Sequence, residues 1–314
     1  MNMPARVVFM GSPDFAVPSL EALVRGGYEV VLTVTQPDRP AGRGGRVVAP
    51  VVKSAAETFG IPVLQPETMK DERVQERLRE AAADLFIVAA YGKILPRAVL
   101  GIPKTGCLNV HGSLLPRWRG ASPISAAILA GDAETGISIM EMAVKMDAGA
   151  VISRAAIRIG ASDTTGSLEP VLAALGAEEL VRVLPAWMSG ELRAQPQDED
   201  LATYCRTLTK GDGQLREAMT AEEAERAVRA FDPWPGAYVE FRGERLAIWR
   251  AHVEHDDQAE MPGAARAAGK APAIALRGGW LILDEVQRPG SRRTTGAQYL
   301  NGLRGDWSGT VGLQ

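Results

Sequence analysis

Runs of apolar residues, each about the length of a strand, recur through the first half of the chain with helix-like segments between them. The runs cover residues 6–10, 30–34, 85–89 and 107–110. Between them, residues 18–25 and 71–83 have the spacing of a helix that buries one face. Strands that are apolar throughout are buried on both faces, so this alternation predicts an α/β fold with a doubly wound parallel sheet.

The pattern changes in the last third of the chain. After a helical segment at residues 221–230, short alternating runs follow at residues 237–241, 245–249, 273–276 and 280–283. Short connections that contain glycine, at residues 242–244 and 277–279, are typical of hairpins. This part of the sequence predicts a small antiparallel β-barrel.

A polar stretch over residues 195–200 interrupts the apolar periodicity between these two regions. Such a lapse is typical of a linker. We therefore expect a first domain of residues 1–190, a linker of residues 191–207 and a second domain of residues 208–314.

Three polar side chains stand where this fold predicts chemistry. Asn109 and His111 come at the end of the fourth apolar run, and Asp147 follows in the segment Met146-Asp147-Ala148-Gly149. Because side chains alternate along a strand, Asn109 and His111 would leave the same face. The carboxyl edge of an open parallel sheet is where such folds hold their ligands. The sequence therefore predicts one site that uses an amide, an imidazole and a carboxylate.

Composition excludes several classes of protein. The 314 residues are 46% hydrophobic and 23% charged, which is typical of a globular protein with room for two cores. The apolar runs are far shorter than the roughly 20 residues of a membrane helix, and the start of the chain shows no secretion signal. We therefore expect a cytosolic protein. A net charge of −3 argues against a protein that coats nucleic acid non-specifically.

Cysteine and histidine spacing predicts neither disulfides nor a metal site. Cys107 and Cys205 lie far apart, and none of the three histidines has the spacing of a metal ligand. The turn at Gly11 lacks the further glycines of a dinucleotide-binding motif, so NAD is not expected either.

The segment around His111 also carries a resemblance to a known family. Asn109-Val110-His111-Gly112-Ser113-Leu114-Leu115-Pro116, with the downstream Asp147-Ala148-Gly149, resembles the folate-dependent formyltransferases, which use 10-formyltetrahydrofolate. Further similar segments cover residues 9–15, 35–44, 90–96 and 229–237. The segment Pro37-Asp38-Arg39-Pro40-Ala41-Gly42-Arg43-Gly44 is similar to the members that formylate the α-amino group of initiator methionyl-tRNA. The resemblance implies a Rossmann-like first domain, an OB-like C-terminal barrel that contacts tRNA, and a role in translation initiation.

Formyl transfer gives each of the three polar side chains a role. The amide of Asn109 can donate to the formyl oxygen as negative charge develops there. The imidazole of His111 can move a proton or stabilise the oxyanion, since imidazoles titrate near neutral pH. Asp147 would then fix the imidazole tautomer and order a water for proton relay. The resemblance implies the same three residues as catalytic.

The resemblance also implies two sets of binding residues. The resemblance implies folate binding by Ser113, Leu114, Leu115 and Pro116. On the residues themselves, Tyr91, Gly92 and Ile94 follow another strand end and could complete an apolar slot for a flat pterin ring. The tRNA-binding residues are Arg39, Arg43 and Lys210, of which Arg43 is the first choice. On the residues alone, Ser113 to Pro116 could equally be a packed turn, and the basic loop at residues 36–45 could be merely solvated.

Other functions stay open at this point. Ala148 stands where the tRNA enzymes commonly have threonine, and this version is also similar to formyltransferases that act on amino-sugar nucleotides. The alternatives are such a sugar-nucleotide enzyme, a hydrolase of 10-formyltetrahydrofolate, and a non-catalytic protein that binds folate and RNA. The basic loop and the C-terminal barrel favour tRNA, and an intact set of three polar residues favours an enzyme. We expect a monomer.

Overall fold

A computed structural model describes residues 4–41, 46–256, 261–303 and 305–314, apart from the side chains of residues 41 and 46. Contacts divide the chain into two compact units, each assembled from separate stretches of sequence. The first unit comprises Met1–Pro123, Glu134–Arg158 and Glu169–Arg206, and the second comprises Ile124–Ala133, Ile159–Leu168 and Thr207–Gln314. The predicted division at residues 190 and 208 stays a prediction.

The helices and strands have the following bounds. The helices are α1 Val17–Arg25, α2 Val51–Thr58, α3 Glu72–Glu80, α4 Arg97–Leu100, α5 Pro123–Ala130, α6 Thr165–Met188, α7 Ala221–Ala230 and α8 Gly296–Asn301. The first strands are β1 Arg6–Gly11, β2 Glu29–Val34, β3 Arg39–Ala41, β4 Arg46–Val48, β5 Val63–Leu64, β6 Leu85–Ala89, β7 Cys107–His111, β8 Arg119–Gly120, β9 Glu134–Glu141, β10 Val151–Arg158 and β11 Tyr204–Cys205. The remaining strands are β12 Ala237–Phe241, β13 Glu244–His255, β14 Ala264–Ala268, β15 Ala271–Leu276, β16 Gly279–Gln287, β17 Thr294–Thr295 and β18 Gly309–Thr310. None of the described helices combines the length and the apolar character needed to cross a membrane.

The first unit is built on a seven-stranded sheet in the order β10-β9-β7-β6-β1-β2-β5. The four strands predicted from the apolar runs are β1, β2, β6 and β7, and they pair in parallel as expected. β9 and β10 extend the sheet on the β7 side in antiparallel orientation, which the sequence pattern did not predict. The predicted α/β fold with a doubly wound, largely parallel sheet is confirmed.

Burial explains why these segments form the centre of the sheet. All five residues of β6 are buried, as expected of a strand covered on both faces. β10 alternates between partly buried and exposed positions over its last six residues because it is the edge strand. One core cluster contains Val8, Met10, Phe86 and Val88 from β1 and β6, together with Leu78 from α3.

The second unit contains an antiparallel sheet in the order β12-β13-β16-β15-β14-β18. Its hairpin between β12 and β13 turns at Arg242 and Gly243, which both have positive φ, the geometry that suits the twist of two antiparallel strands. The two edges of the curled sheet meet where Glu240 and Gly312 exchange two backbone hydrogen bonds. The predicted small antiparallel barrel is confirmed.

Candidate active site

Two of the predicted catalytic residues lie on β7, next to the buried strand β6. Asn109 pairs with Val88 of β6 and with Met140 of β9, and His111 ends the strand. Their side chains leave the same face because they are two residues apart on a strand. His111 is 6% exposed and Asn109 is partly exposed.

The two ring nitrogens of His111 have different partners. Nε2 lies 3.0 Å from the carbonyl oxygen of Trp118, and a carbonyl can only accept, so Nε2 carries the hydrogen and donates it. Nδ1 faces Oδ2 of Asp147 at 3.9 Å, which is too long for a direct hydrogen bond. The Trp118 carbonyl therefore fixes the imidazole tautomer, a role that we had expected of Asp147.

Asp147 is held with its carboxylate towards the imidazole. Its Oδ2 accepts a 2.8 Å hydrogen bond from the backbone N–H of Gly120, and its φ of 49° lies in the left-handed region. A side chain at Gly149 would collide with the carbonyl oxygen of Glu141. The turn after Asp147 therefore requires glycine at position 149, where the backbone passes close to the carbonyl of Glu141.

The amide of Asn109 is available to a ligand. Throughout the part of the chain that the structure describes, no group forms a hydrogen bond with this side chain. A partly exposed amide beside an imidazole and a carboxylate can donate to an oxygen that gains negative charge. The structure thus brings the predicted set of three residues together.

The turn after β7 is fixed by side-chain hydrogen bonds. Ser113 Oγ donates a hydrogen bond to the carbonyl of Arg117 at 2.6 Å. Ser138 Oγ donates to the carbonyl of Ser113 at 2.7 Å and accepts from the N–H of Leu115 at 3.0 Å. Leu115 is 1% exposed and belongs to a small core cluster. The side chains of Ser113 and Leu115 are used within the fold, whereas Leu114 and Pro116 are partly exposed.

The second predicted folate segment follows β6. Tyr91 is buried, its hydroxyl lies 3.2 Å from the sulfur of Met69, and burial raises the pKa of Tyr91 to about 12. Gly92 has a φ of 76°, and a Cβ there would crowd the amide of Gln36, which donates to the carbonyl of Tyr91. Ile94, by contrast, is 78% exposed.

Exposed aliphatic side chains also occur in the loop that contains Asp147. Val144 and Met146 are 61% and 57% exposed. Met142, at the start of this loop, packs against the core cluster that includes Tyr91 and Leu95. The loop after β9 therefore adjoins the segment after β6. This apolar surface was not predicted from the sequence, although aliphatic residues in a loop with glycine were a visible signal.

Three further polar residues adjoin the site and were not predicted. Arg119 is fully buried and forms side-chain hydrogen bonds with Gln197 and Glu199. Gln197 also hydrogen-bonds to the backbone of the Asp147 loop. Gln197 and Glu199 belong to the polar stretch that suggested a linker, and such a composition gives no sign of long-range contacts.

The residues predicted to bind tRNA are spread over the chain. Arg39 is exposed on β3. Burial lowers the pKa of nearby Lys93, the charge of Glu67 opposes this shift, and the charge of Arg39 adds to it. Asp38, at the base of this segment, is held by Lys53 and Gln65 at 2.7 Å each. Lys210 is exposed in a short 3₁₀ turn, and Arg43 lies outside the described residues.

No three His, Cys, Asp or Glu side chains gather as a metal site within the described ranges. The candidate site therefore consists of an amide, an imidazole and a carboxylate, with apolar surface close by.

The two parts of the chain match the two domains of one family. Residues 5–184 match the sequence model of formyl transferase, and residues 207–304 match that of the formyl transferase C-terminal domain. The chain therefore belongs to the formyl transferase family.

Relatives of known name are similar over nearly the whole length. The methionyl-tRNA formyltransferases of Thiobacillus denitrificans and Methylobacillus flagellatus are 48% and 46% identical to this chain, each over 90% of it and 91% of the relative. The crystal structure of an N-formyltransferase from Helicobacter canadensis with folinic acid and dTDP-3-aminofucose shares the fold. It has a TM-score of 0.65 and 15% identity and covers 90% of this chain and 99% of its own.

Proposed function

We propose that this protein is an enzyme that transfers the formyl group of 10-formyltetrahydrofolate to the α-amino group of methionine on initiator tRNA. The product is formylmethionyl-tRNA, which serves translation initiation. The observation that carries this function is the identity of 46–48% to methionyl-tRNA formyltransferases over 90% of the chain. Matches to both formyl transferase domains support it.

The reaction forms one bond and breaks another. The lone pair of the α-amine attacks the formyl carbon, and the C=O electrons move onto oxygen. When the oxyanion collapses, the bond from carbon to N10 of the folate breaks. One proton leaves the attacking nitrogen and one reaches N10, so the site needs an oxyanion donor and a group that moves protons.

Asn109 is the oxyanion donor in this proposal. Its N–H groups are not occupied by bonds within the described part of the fold, so donation to the formyl oxygen breaks no existing contact. Such a donor stabilises the transition state more than the ground state because the oxygen gains charge during attack.

His111 and Asp147 move the proton in this proposal. Since Nε2 of His111 donates to Trp118, only Nδ1 is left to accept a proton. The Asp147 carboxylate at 3.9 Å stabilises the imidazolium that results. A separation of 3.9 Å is shorter than two hydrogen-bond lengths, so an amine or a water that contacts both groups must approach from the side.

The folate donor binds, in our proposal, on the surface formed by the loops after β6, β7 and β9. Leu114, Pro116 and the exposed Ile94 offer side-chain contacts, and the exposed Met146 adds to them. Gly92 and the buried residues Ser113, Leu115 and Tyr91 contribute backbone groups and hold the turns in shape. A flat pterin ring suits aliphatic surface with backbone donors and acceptors around it.

Initiator methionyl-tRNA contacts Arg39, Arg43 and Lys210 in this proposal. Arginine and lysine neutralise backbone phosphates, and two of these residues are exposed in the described structure. We further propose that the enzyme works as a monomer in the cytoplasm, where its RNA substrate is used.

Formyl transfer to different acceptors tests the function. The protein and donor are incubated separately with methionyl-tRNA, uncharged tRNA and an amino-sugar nucleotide, and the formylated product is followed by mass spectrometry. We expect product only with methionyl-tRNA. Product with the sugar nucleotide, formate release without an acceptor at a rate equal to that of transfer, or donor binding without any turnover would each contradict the proposal and identify one of the three alternatives.

A further inference from the structure

A buried arginine connects the strand after the catalytic turn to the segment at residues 197–204. Arg119 on β8 has 0% of its side chain exposed. Its guanidinium donates three hydrogen bonds: Nε to Gln197 at 3.0 Å, Nη1 to the Tyr204 hydroxyl at 3.2 Å and Nη2 to Glu199 at 2.7 Å. Burying a guanidinium is costly unless its donors are satisfied, so this cluster fixes residues 197–204 against β8.

Gln197 carries the connection on to the loop that holds Asp147. Its Nε2 donates to the backbone carbonyls of Asp147 at 2.8 Å and Gly149 at 2.7 Å. Its Oε1 accepts a hydrogen bond from Nε of Arg119. This pattern fixes the orientation of the amide, because the reverse orientation would place an oxygen against two carbonyl oxygens.

Glu199 makes a second connection to the same loop. It binds Arg119 at 2.7 Å and Lys145 at 2.6 Å, and Lys145 precedes Asp147 by two residues. On the other side, the N–H of Gly120, the neighbour of Arg119, donates to the Asp147 carboxylate. Thus one cluster holds the backbone carbonyls of Asp147 and Gly149, the side chain of Lys145 and, through β8, the carboxylate itself.

We propose that Arg119, Gln197 and Glu199, together called the clip, are positioning residues that hold Asp147 at its working distance from His111. This inference rests on the proposed formyl transfer and deepens it. Arg119 is fully buried and therefore out of reach of a substrate, and both N–H groups of Gln197 already donate to the loop backbone. They act through Asp147, whose left-handed backbone conformation needs support from its surroundings.

A substitution of Gln197 that preserves its shape tests the clip. Gln197→Glu keeps the acceptor for Arg119 but puts a carboxylate oxygen against the carbonyls of Asp147 and Gly149, so the loop must shift. Gln195→Glu is the matched control, because Gln195 is exposed two residues earlier and the charge change is the same. Gln197→Leu, which loses both donors without adding charge, is the second variant. Melting temperatures establish that each variant is folded.

We expect Gln197→Glu to lower kcat by about 100-fold, the effect of a shift of roughly 1 Å at a catalytic group, with KM for both substrates nearly unchanged. Gln197→Leu should lower kcat in the same way. Gln195→Glu should keep wild-type activity. A purely structural role would instead lower the melting temperature and the active fraction, with no selective loss of kcat in the folded variants.

Coupling to Asp147 provides the decisive measurement. If Gln197 acts through Asp147, then Gln197→Glu should lower kcat by less than about threefold in an Asp147→Asn background. Three results would overturn the clip. They are a loss of about 100-fold in the Asp147→Asn background, a rise in KM with unchanged kcat, and a wild-type kcat in the folded variants. If the wild-type protein forms no formylmethionyl-tRNA, the proposed function fails first, which is a distinguishable result.

Discussion

Replacement of Asn109 by alanine isolates the oxyanion donor. In the described structure the Asn109 amide has no hydrogen-bond partner, so the substitution removes no hydrogen bond within the fold. The residue is partly exposed, and we expect the free energy of unfolding to change by less than about 1 kcal/mol. The entire effect should therefore fall on the chemical step.

The expected loss follows from the strength of such a donor. Removing one oxyanion donor in acyl transfer costs about 2.7–4 kcal/mol of transition-state stabilisation, and about 1.36 kcal/mol corresponds to a tenfold change in rate. Asn109→Ala should thus lower kcat by about 100- to 1,000-fold. KM for the folate donor should change little, since the neutral formyl oxygen binds this amide only weakly before attack.

Single-turnover transfer to methionyl-tRNA, with thermal melts alongside, measures both effects. Asn301→Ala is the matched control, since Asn301 is exposed at the end of α8. Asn109→Asp keeps the size but places negative charge beside the developing oxyanion, so its loss should equal or exceed that of alanine. A kcat within about threefold of wild type in either Asn109 variant would refute the reasoning.

Three further groups of substitutions test other parts of the site. His111→Ala and Asp147→Ala should each lower kcat by at least about two orders of magnitude. The double variant should be little worse, because residues that act as a unit lose activity together. If the two single losses multiply in the double variant, measured by single-turnover transfer, the residues act independently and the prediction is wrong. Glu199→Gln should flatten the pH dependence of stability, measured by thermal melts. Hydrogen bonds from Arg119 and Lys145 lower the pKa of Glu199 from 4.5 to about 2. The stabilisation of the folded state by this carboxylate is therefore present above pH 4.5 and lost as the pH falls towards 2. Equal slopes of melting temperature against pH in wild type and variant would contradict this prediction. Arg43→Ala should lower kcat/KM for methionyl-tRNA and reduce its salt dependence by at most about one unit of slope, with donor hydrolysis unaffected; an unchanged kcat/KM and slope would exclude Arg43 from the tRNA site.

Elements with strong local signals were predictable from the sequence. α7 has the predicted bounds because Thr220 and Glu223 form a capping box at its start and its apolar residues keep the helical period. β12 likewise agrees with its alternating run. In these segments the local preference and the tertiary contacts favour the same structure.

Elements that depend on distant partners were not predictable in this way. β9 contains glycine, serine and threonine, and its place in the sheet comes from pairing with β7 and β10. β13 continues to His255, six residues beyond the predicted run, because β16 pairs with it along this length. Pairing supplies hydrogen bonds that no local pattern reports.

The residues of the candidate site likewise fall into those that a local motif predicts and those that only distant contacts define. Asn109, His111 and Asp147 were identified because each stands in a motif whose chemistry is visible. Arg119 was not, because an arginine in sequence suggests a solvated surface, and its partner Gln197 lies 78 residues away. A polar residue that is buried by a distant partner leaves no local trace.

The second unit takes part of its structure from the middle of the chain, and this has a consequence during synthesis. Helix α5 buries Ile124, Ala126, Ala127 and Ile128, and the carbonyl of Leu129 accepts from Arg226 of α7, 97 residues later. At a translation rate of about 5–20 residues per second, α7 leaves the ribosome roughly 5–20 s after α5. For that time the apolar side chains of α5 lack the later part of their own unit, Thr207–Gln314, and the nascent chain offers a site that a chaperone could hold.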